Sequence, residues 1–270
     1  MPESPGNAEG SKNPGAPGEP VIPSAWTRPR RPKRERPTLS RDHIVTEAVR
    51  LLDEEGAGAL SMRRLGARLN AGATSMYAHV ASKDELIELV VDRVYGEMEI
   101  PAPDAAKDWR TAAARCAHDV RATILRHPWI APMLGEVGVS LGPNSLRLNE
   151  SMLAMLHTAG FALDRADHAV RILFAYVLGM TTSEAAWLTM LARGGRSPED
   201  WTREAWPAIE QATRDYPLLS RRYTESRRYT EQAVGGLPAS ADVVHDNFDY
   251  GLQWLLDGLE TRLDADATRA

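Results

Sequence analysis

Apolar residues recur every three or four positions through most of this chain, the spacing that places them on one face of a helix. Ile44, Ala48, Leu51 and Leu52 form the first stripe, over 40–55, with Ser40 as N-cap and Gly56 and Gly58 as the stop. Ser61 caps a short helix carrying Leu65 and Leu69 at i, i+4. Asn70-Ala71-Gly72 breaks it, with Asn70 or Gly72 taking the positive φ that closes a helix end. A second short helix, 73–80, turns Met76 and Val80 inward. Ser82 and Glu85 then make a capping box that opens a helix to about residue 97. Pro101 and Pro103 end it and mark a domain boundary.

The remainder reads as helix as well. Elements are predicted over 108–127, 129–134, 143–160, 164–193, 201–215 and 242–263. Leu146, Leu153, Met155 and Leu156 are the expected buried face of the third of these. Pro207 is expected to break 201–215, and 218–236 reads as polar, weakly periodic and partly mobile. The helices at 164–193 (Ile172, Leu173, Phe174, Val177, Leu188) and 242–263 (Phe248, Leu252, Leu255, Leu256, Leu259) carry more apolar surface than a small monomeric bundle needs. Gly179, Gly251 and Gly258 would let such helices approach closely. No strand and no internal repeat is visible, so the fold class is all-α.

Charge is unevenly spread. The whole chain has a net charge of −5, yet residues 28–83 carry 12 Lys and Arg against 6 Asp and Glu. An acidic protein with one basic end points to a local anion-binding surface. Residues 1–27 are rich in Pro, Gly, Ser and Asn and read as disordered; 28–36 is a basic arm that includes Arg34 and Arg36. The single cysteine, Cys116, forms no internal disulfide, which fits a reducing cytoplasm. No apolar run spans a membrane, and no apolar signal-peptide core is present.

The basic end coincides with the two short helices, and that is where chemistry concentrates. Two helices and a sharp turn are what a major-groove reader needs: the first buttresses, and the second presents its N-terminal side chains to bases. Thr74 and Ser75 open the second helix, Tyr77 and His79 follow, Lys83 lies just beyond, and Arg63 and Arg64 flank from the first. Hydroxyl, phenol, imidazole and cation side chains are the usual phosphate-contacting set. No nucleophile elbow, phosphate-cradling glycine loop or metal-ligand spacing is found, and His127 reads as a cap or surface residue. The expectation is therefore no enzyme, no cofactor and no metal.

The segment from Met76 to Leu86, with Tyr77, His79, Val80, Lys83 and Leu86, resembles the Leu-Tyr-x-His-Val-x-x-Lys-x-x-Leu signature of the tetracycline-repressor (TetR) family of bacterial transcription regulators. Ile44, Gly56, Leu60, Ser61, Arg63 and Leu65 extend the match over about 50 residues. The resemblance implies a homodimeric repressor on a palindromic double-stranded operator, released by a small apolar or aromatic effector held in the helical body. It implies a DNA-binding head over 37–100 and an effector-binding and dimerisation domain over 101–270. On that basis Trp109, Cys116, Trp129, Met133, Met152, Met155, Phe174 and Trp187 are candidate effector contacts. Met133 and Glu99 stand where the tetracycline repressor has its drug-site histidines, which argues against magnesium-tetracycline as ligand. Ala73 and Ala78 replace its base-reading Gln and Trp, so the operator should differ. The rival reading is a helical ligand-binding or enzymatic protein that no longer uses DNA; the intact Arg63, Tyr77, His79 and Lys83 speak against it.

Overall fold

The computed structural model describes residues 39–101, 103–136, 141–234 and 240–267, and every regular element among them is helical. Four helices build the head: α1 (Arg41–Glu55), α2 (Met62–Arg68), α3 (Ala73–His79) and α4 (Lys83–Tyr95). Their inward stripes meet in a core where Ile44, Leu51, Leu65, Met76, Val80 and Leu86 are fully buried. Local chemistry starts each helix. Ser40 accepts from the His43 N–H at 3.1 Å, Ser61 from Arg64 at 3.2 Å and Ser82 from Glu85 at 3.0 Å. The Glu85 carboxylate reaches back to the Ala81 N–H at 2.8 Å and also pairs with Arg41 of α1, which ties α4 to α1. Asn70, not Gly72, takes the positive φ (47°) between α2 and α3, and Gly72 is the N-cap of α3.

The body contains α5 (Trp109–Arg126), α6 (Ile130–Glu136), α7 (Pro143–Thr158), α8 (Leu163–Gly194), α9 (Pro198–Thr213), α10 (Pro217–Val234) and α11 (Ser240–Ala267). The 32-residue α8 runs through its centre, packed by α5, α7 and α11. Arg121 of α5 and Glu184 of α8 form a buried ion pair, Nε to Oε2 2.8 Å, and the guanidinium lies 5.1 Å from the Phe248 ring centre of α11. One charge pair thus pins three helices together.

Head and body share α4, which packs on α1 at one side and on α6 and α7 at the other. Buried Asp92 of α4 caps α7: its Oδ1 accepts the Asn144 and Ser145 N–H groups, each at 3.0 Å. Burial pushes the Asp92 carboxyl above the usual aspartate range, against the pull of those N–H groups. Gly142 lies so near that a Cβ there would overlap this carboxylate. Gly142→Ala is therefore expected to push α7 off α4 and cost about 1–3 kcal/mol of stability; a thermal midpoint equal to wild type would disprove so tight a fit.

Several sequence expectations need correction. Pro207 does not break α9, which continues to Thr213. Arg203, whose carbonyl has no N–H of Pro207 to bond, is an exposed residue, as are Glu204 and Pro207. The polar stretch after Tyr216 is helical to Val234. It lacks an apolar stripe but is rich in good helix formers and gains an i, i+4 pair, Arg221 with Glu225 at 2.7 Å; residues 235 and 236 lie outside the described residues. Leu146 is 49% exposed, because the Asp92 dock turns Ser145, Leu148 and Met152 inward instead. Ile172 and Leu188, by contrast, are exposed as expected of apolar surface beyond the needs of a monomeric bundle. Gly251 does permit close approach, its Cα facing the Tyr176 hydroxyl, whereas Gly179 and Gly258 face open space.

Candidate functional site

The outer face of α2 and α3 carries the predicted DNA-contacting groups. With Met76 and Val80 buried, Thr74, Ser75 and Tyr77 are exposed on the opposite side of α3, and Tyr77 keeps 50% of its surface. His79 is half-buried at the end of α3, and Lys83 is exposed at the start of α4. Arg63 and Lys83 have no ion-pair partner among the described residues, so both cations are available to phosphate. Arg64 differs: it pairs with Glu55 of α1. Arg68, which sequence reasoning did not single out, is held by Glu47 at 2.7 Å and Glu54 at 2.6 Å. These two arginines brace α2 against α1, and a phosphate would have to compete with carboxylates for them. Arg34 and Arg36 lie outside the described residues.

Inside the body a cavity of about 90 Å³ lies between α4, α5, α7 and α8. Of the candidate effector contacts, Cys116, Met152 and Phe174 line it. The others are placed elsewhere. Trp109 meets Phe161 edge-on at 5.3 Å, Met155 is in the core, and Trp187 is half-buried on α8. Met133 is buried on α6, and Trp129 donates from its indole N–H to Asp53 of α1 at 2.6 Å. Sequence reasoning missed Tyr95, Leu148 and Asn149 on the wall. Tyr95 was hidden because its stripe assigns it to the head helix, and only packing shows that α4 ends against the cavity.

The wall is mostly aliphatic, and its polar groups are neutral. Burial, with Asp92 nearby, pushes the Tyr95 phenol up to about 12. Burial, with Asp119 nearby, pushes the Cys116 thiol up to about 12. Near neutral pH both stay protonated, so Cys116 is no nucleophile and Tyr95 is a hydrogen-bond donor. Asn149 spends its amide N–H on the Ser145 carbonyl at 3.0 Å, which leaves its amide oxygen as an acceptor. The Tyr95 and Phe174 rings lie nearly parallel (20°) with centres 6.3 Å apart. Such a lining suits an uncharged, largely apolar or aromatic molecule with few polar groups.

Comparison with known proteins agrees with this geometry. Residues 44–90 match the family described as "Bacterial regulatory proteins, tetR family", and residues 101–263 match "Tetracyclin repressor-like, C-terminal domain". The chain is 34% identical over 249 residues to an HTH-type transcriptional regulator of Saccharopolyspora erythraea, covering 92% of this chain and 94% of that protein. It is 33% identical over 236 residues to the HTH-type transcriptional repressor DrrR1 of Streptomyces coeruleorubidus, covering 87% of this chain and 83% of that protein. Among solved structures, ActR of Streptomyces coelicolor in complex with actinorhodin superposes with a TM-score of 0.64 at 26% identity, covering 83% of this chain and 98% of that one.

Proposed function

The chain belongs to the tetracycline-repressor family of DNA-binding transcription regulators, and on that premise we propose that it is a homodimeric repressor, released from a palindromic operator by an uncharged apolar or aromatic effector in the cavity between α4, α5, α7 and α8. Residues 37–100 serve as the reading head and 101–270 as the effector-binding and dimerisation body, and the protein acts in the cytoplasm rather than as an enzyme. The observation that carries the reading is the outer face of the head, where Arg63, Tyr77 and Lys83 stand exposed around a short helix whose other side is buried.

The exposed faces of α8 and α11 support the dimer. Along α8, Ile172, Ala175, Gly179, Ser183, Ala186 and Met190 are exposed or open at a spacing of three or four residues, and all are small or apolar. On α11, Tyr250 and Trp254 are 64% and 67% exposed, and Gly258 is open. Exposed apolar stripes of this extent mark interaction surfaces. Two heads related by a two-fold axis would read successive major grooves.

Induction follows from α4. Lys83 at its start faces phosphate, and Tyr95 at its end walls the cavity, twelve residues or about 18 Å away. The cavity of about 90 Å³ is far smaller than the roughly 300–1,000 Å³ of drug-sized sites. A ligand therefore enters by moving walls, Tyr95 among them, and tilts the helix that carries Lys83. Release requires that the effector bind the tilted form more tightly than the DNA-bound form. A body fragment beginning at residue 101 would lack Tyr95, so effector binding is best measured on the full chain.

A duplex selected from random DNA by the full chain tests the reading directly. Lys83→Glu should weaken its binding by roughly tenfold or more; unaltered affinity would remove Lys83 from the interface. The arm has a separate signature. Deleting residues 1–36 should shallow the dependence of log K on log salt by about one unit per lost phosphate contact. An unchanged slope would make the arm a passive tail.

A further inference from the structure

Where the body meets α1, four side chains from different elements converge. His127, the C-cap of α5, is buried, with Nδ1 2.6 Å from Asp53 of α1 and Nε2 3.0 Å from Glu97, just past α4. The Trp129 indole donates to the same Asp53 oxygen at 2.6 Å, and Trp129 and His127 meet edge-on with ring centres 5.7 Å apart. Arg126 adds its guanidinium 3.4 Å from Glu97. None of these groups touches the cavity or the DNA-reading face. His127 and Trp129 are buried while Asp53, Glu97 and Arg126 stay partly open to solvent, so two aromatic rings sealed between body and head meet carboxylates at its edge, more than a solvent-facing helix cap requires.

We propose that Asp53, Glu97, His127 and Trp129 form a second joint between body and head, by which α5 reports the state of the cavity to α1 independently of the tilt of α4. The proposal rests on the reading of the cavity as the effector site. α5 contributes Ala113, Cys116, Ala117 and Val120 to the cavity wall. Eleven residues, or about 16 Å, separate Cys116 from His127 on what is nearly one rigid rod. The His127 N–H bonds the Thr123 carbonyl at 3.1 Å, so the imidazole moves with the helix end. At the other side, Asp53 belongs to the last turn of α1. The neighbouring Glu54 and Glu55 of that turn hold Arg68 and Arg64 of α2. A shift of α5 is thereby passed to α1, from α1 to α2, and so to the seat of α3.

A double-mutant cycle tests this without a known effector. Ala117→Leu partly fills the cavity from α5 and stands in for a ligand. Its effect on affinity for the selected duplex is measured in the wild-type background, expected at about 5–150-fold, and again with Asp53→Asn and His127→Gln. If the joint transmits, the factor becomes at least about threefold smaller in the altered background. Trp129→Phe, which deletes one donor and keeps the aromatic packing, should change the factor in the same direction and guards against a joint variant that fails to fold. Equal factors in all backgrounds overturn the joint. A wild-type chain that selects no duplex, or an Ala117→Leu variant that binds as wild type does, overturns instead the functional reading beneath it.

Discussion

Placing glutamate at both Gly179 and Trp254 is expected to yield a folded monomer that has lost at least about 100-fold in operator affinity at fixed salt. Both positions are harmless within the chain itself. A side chain at Gly179 meets nothing within 4 Å, and Trp254 is 67% exposed. If α8 and α11 pair with their mates, the same carboxylates would be buried across a two-fold axis, each facing its own copy. Burying unpaired charge is prohibitive, so the dimer dissociates. One head then supplies half of the contacts, and the loss multiplies in the binding constant. Sedimentation velocity and an operator titration read the two consequences separately. A variant that still sediments as a dimer would move the interface off these helices.

Glu184→Ala should be the most destabilising single change in the body, by about 3–5 kcal/mol. It removes the carboxylate that Arg121 binds through Nε and Nη2, in a side chain only 11% exposed among α5, α8 and α11. At about 2–4 °C per kcal/mol for a chain of this size, the thermal midpoint falls by roughly 6–20 °C. The double change Arg121→Met with Glu184→Leu should recover most of this, because two apolar side chains of similar volume need no charge compensation. The comparison separates the cost of removing one partner from the worth of the pair. Should Glu184→Ala melt within a degree or two of wild type, Arg121 is compensated without Glu184 and the pair is not what holds the three helices together.

The head was legible almost residue by residue. Its helices are short and amphipathic, and Ser40, Ser61 and Ser82 cap their own helices within three residues. Inward positions such as Met76 and Val80 follow from spacing alone, and so do the exposed Thr74, Ser75 and Tyr77. The cavity was legible only in part. Cys116, Met152 and Phe174 stand out as soft or aromatic residues on body helices, but so do Trp109 and Met155, which packing places elsewhere. Composition marks a residue as apolar; it does not say whether its neighbours close over it or leave a void.

Periodicity, capping and local charge act over a few residues, so the chain by itself determined an all-helical fold, the helix–turn–helix and the basic end. What joins distant segments required the tertiary structure. Asp92 capping α7 from 52 residues away, Arg121 meeting Glu184 across 63 residues and His127 gripping Asp53 across 74 leave no mark at helical spacing. A carboxylate or imidazole reads as a solvated group until packing removes its water and supplies a partner. The same holds for α8, whose exposed small residues look like ordinary helix filling in one dimension. Only the packed chain leaves Ile172, Gly179 and Met190 along a single uncovered line, because α5, α7 and α11 occupy the other sides.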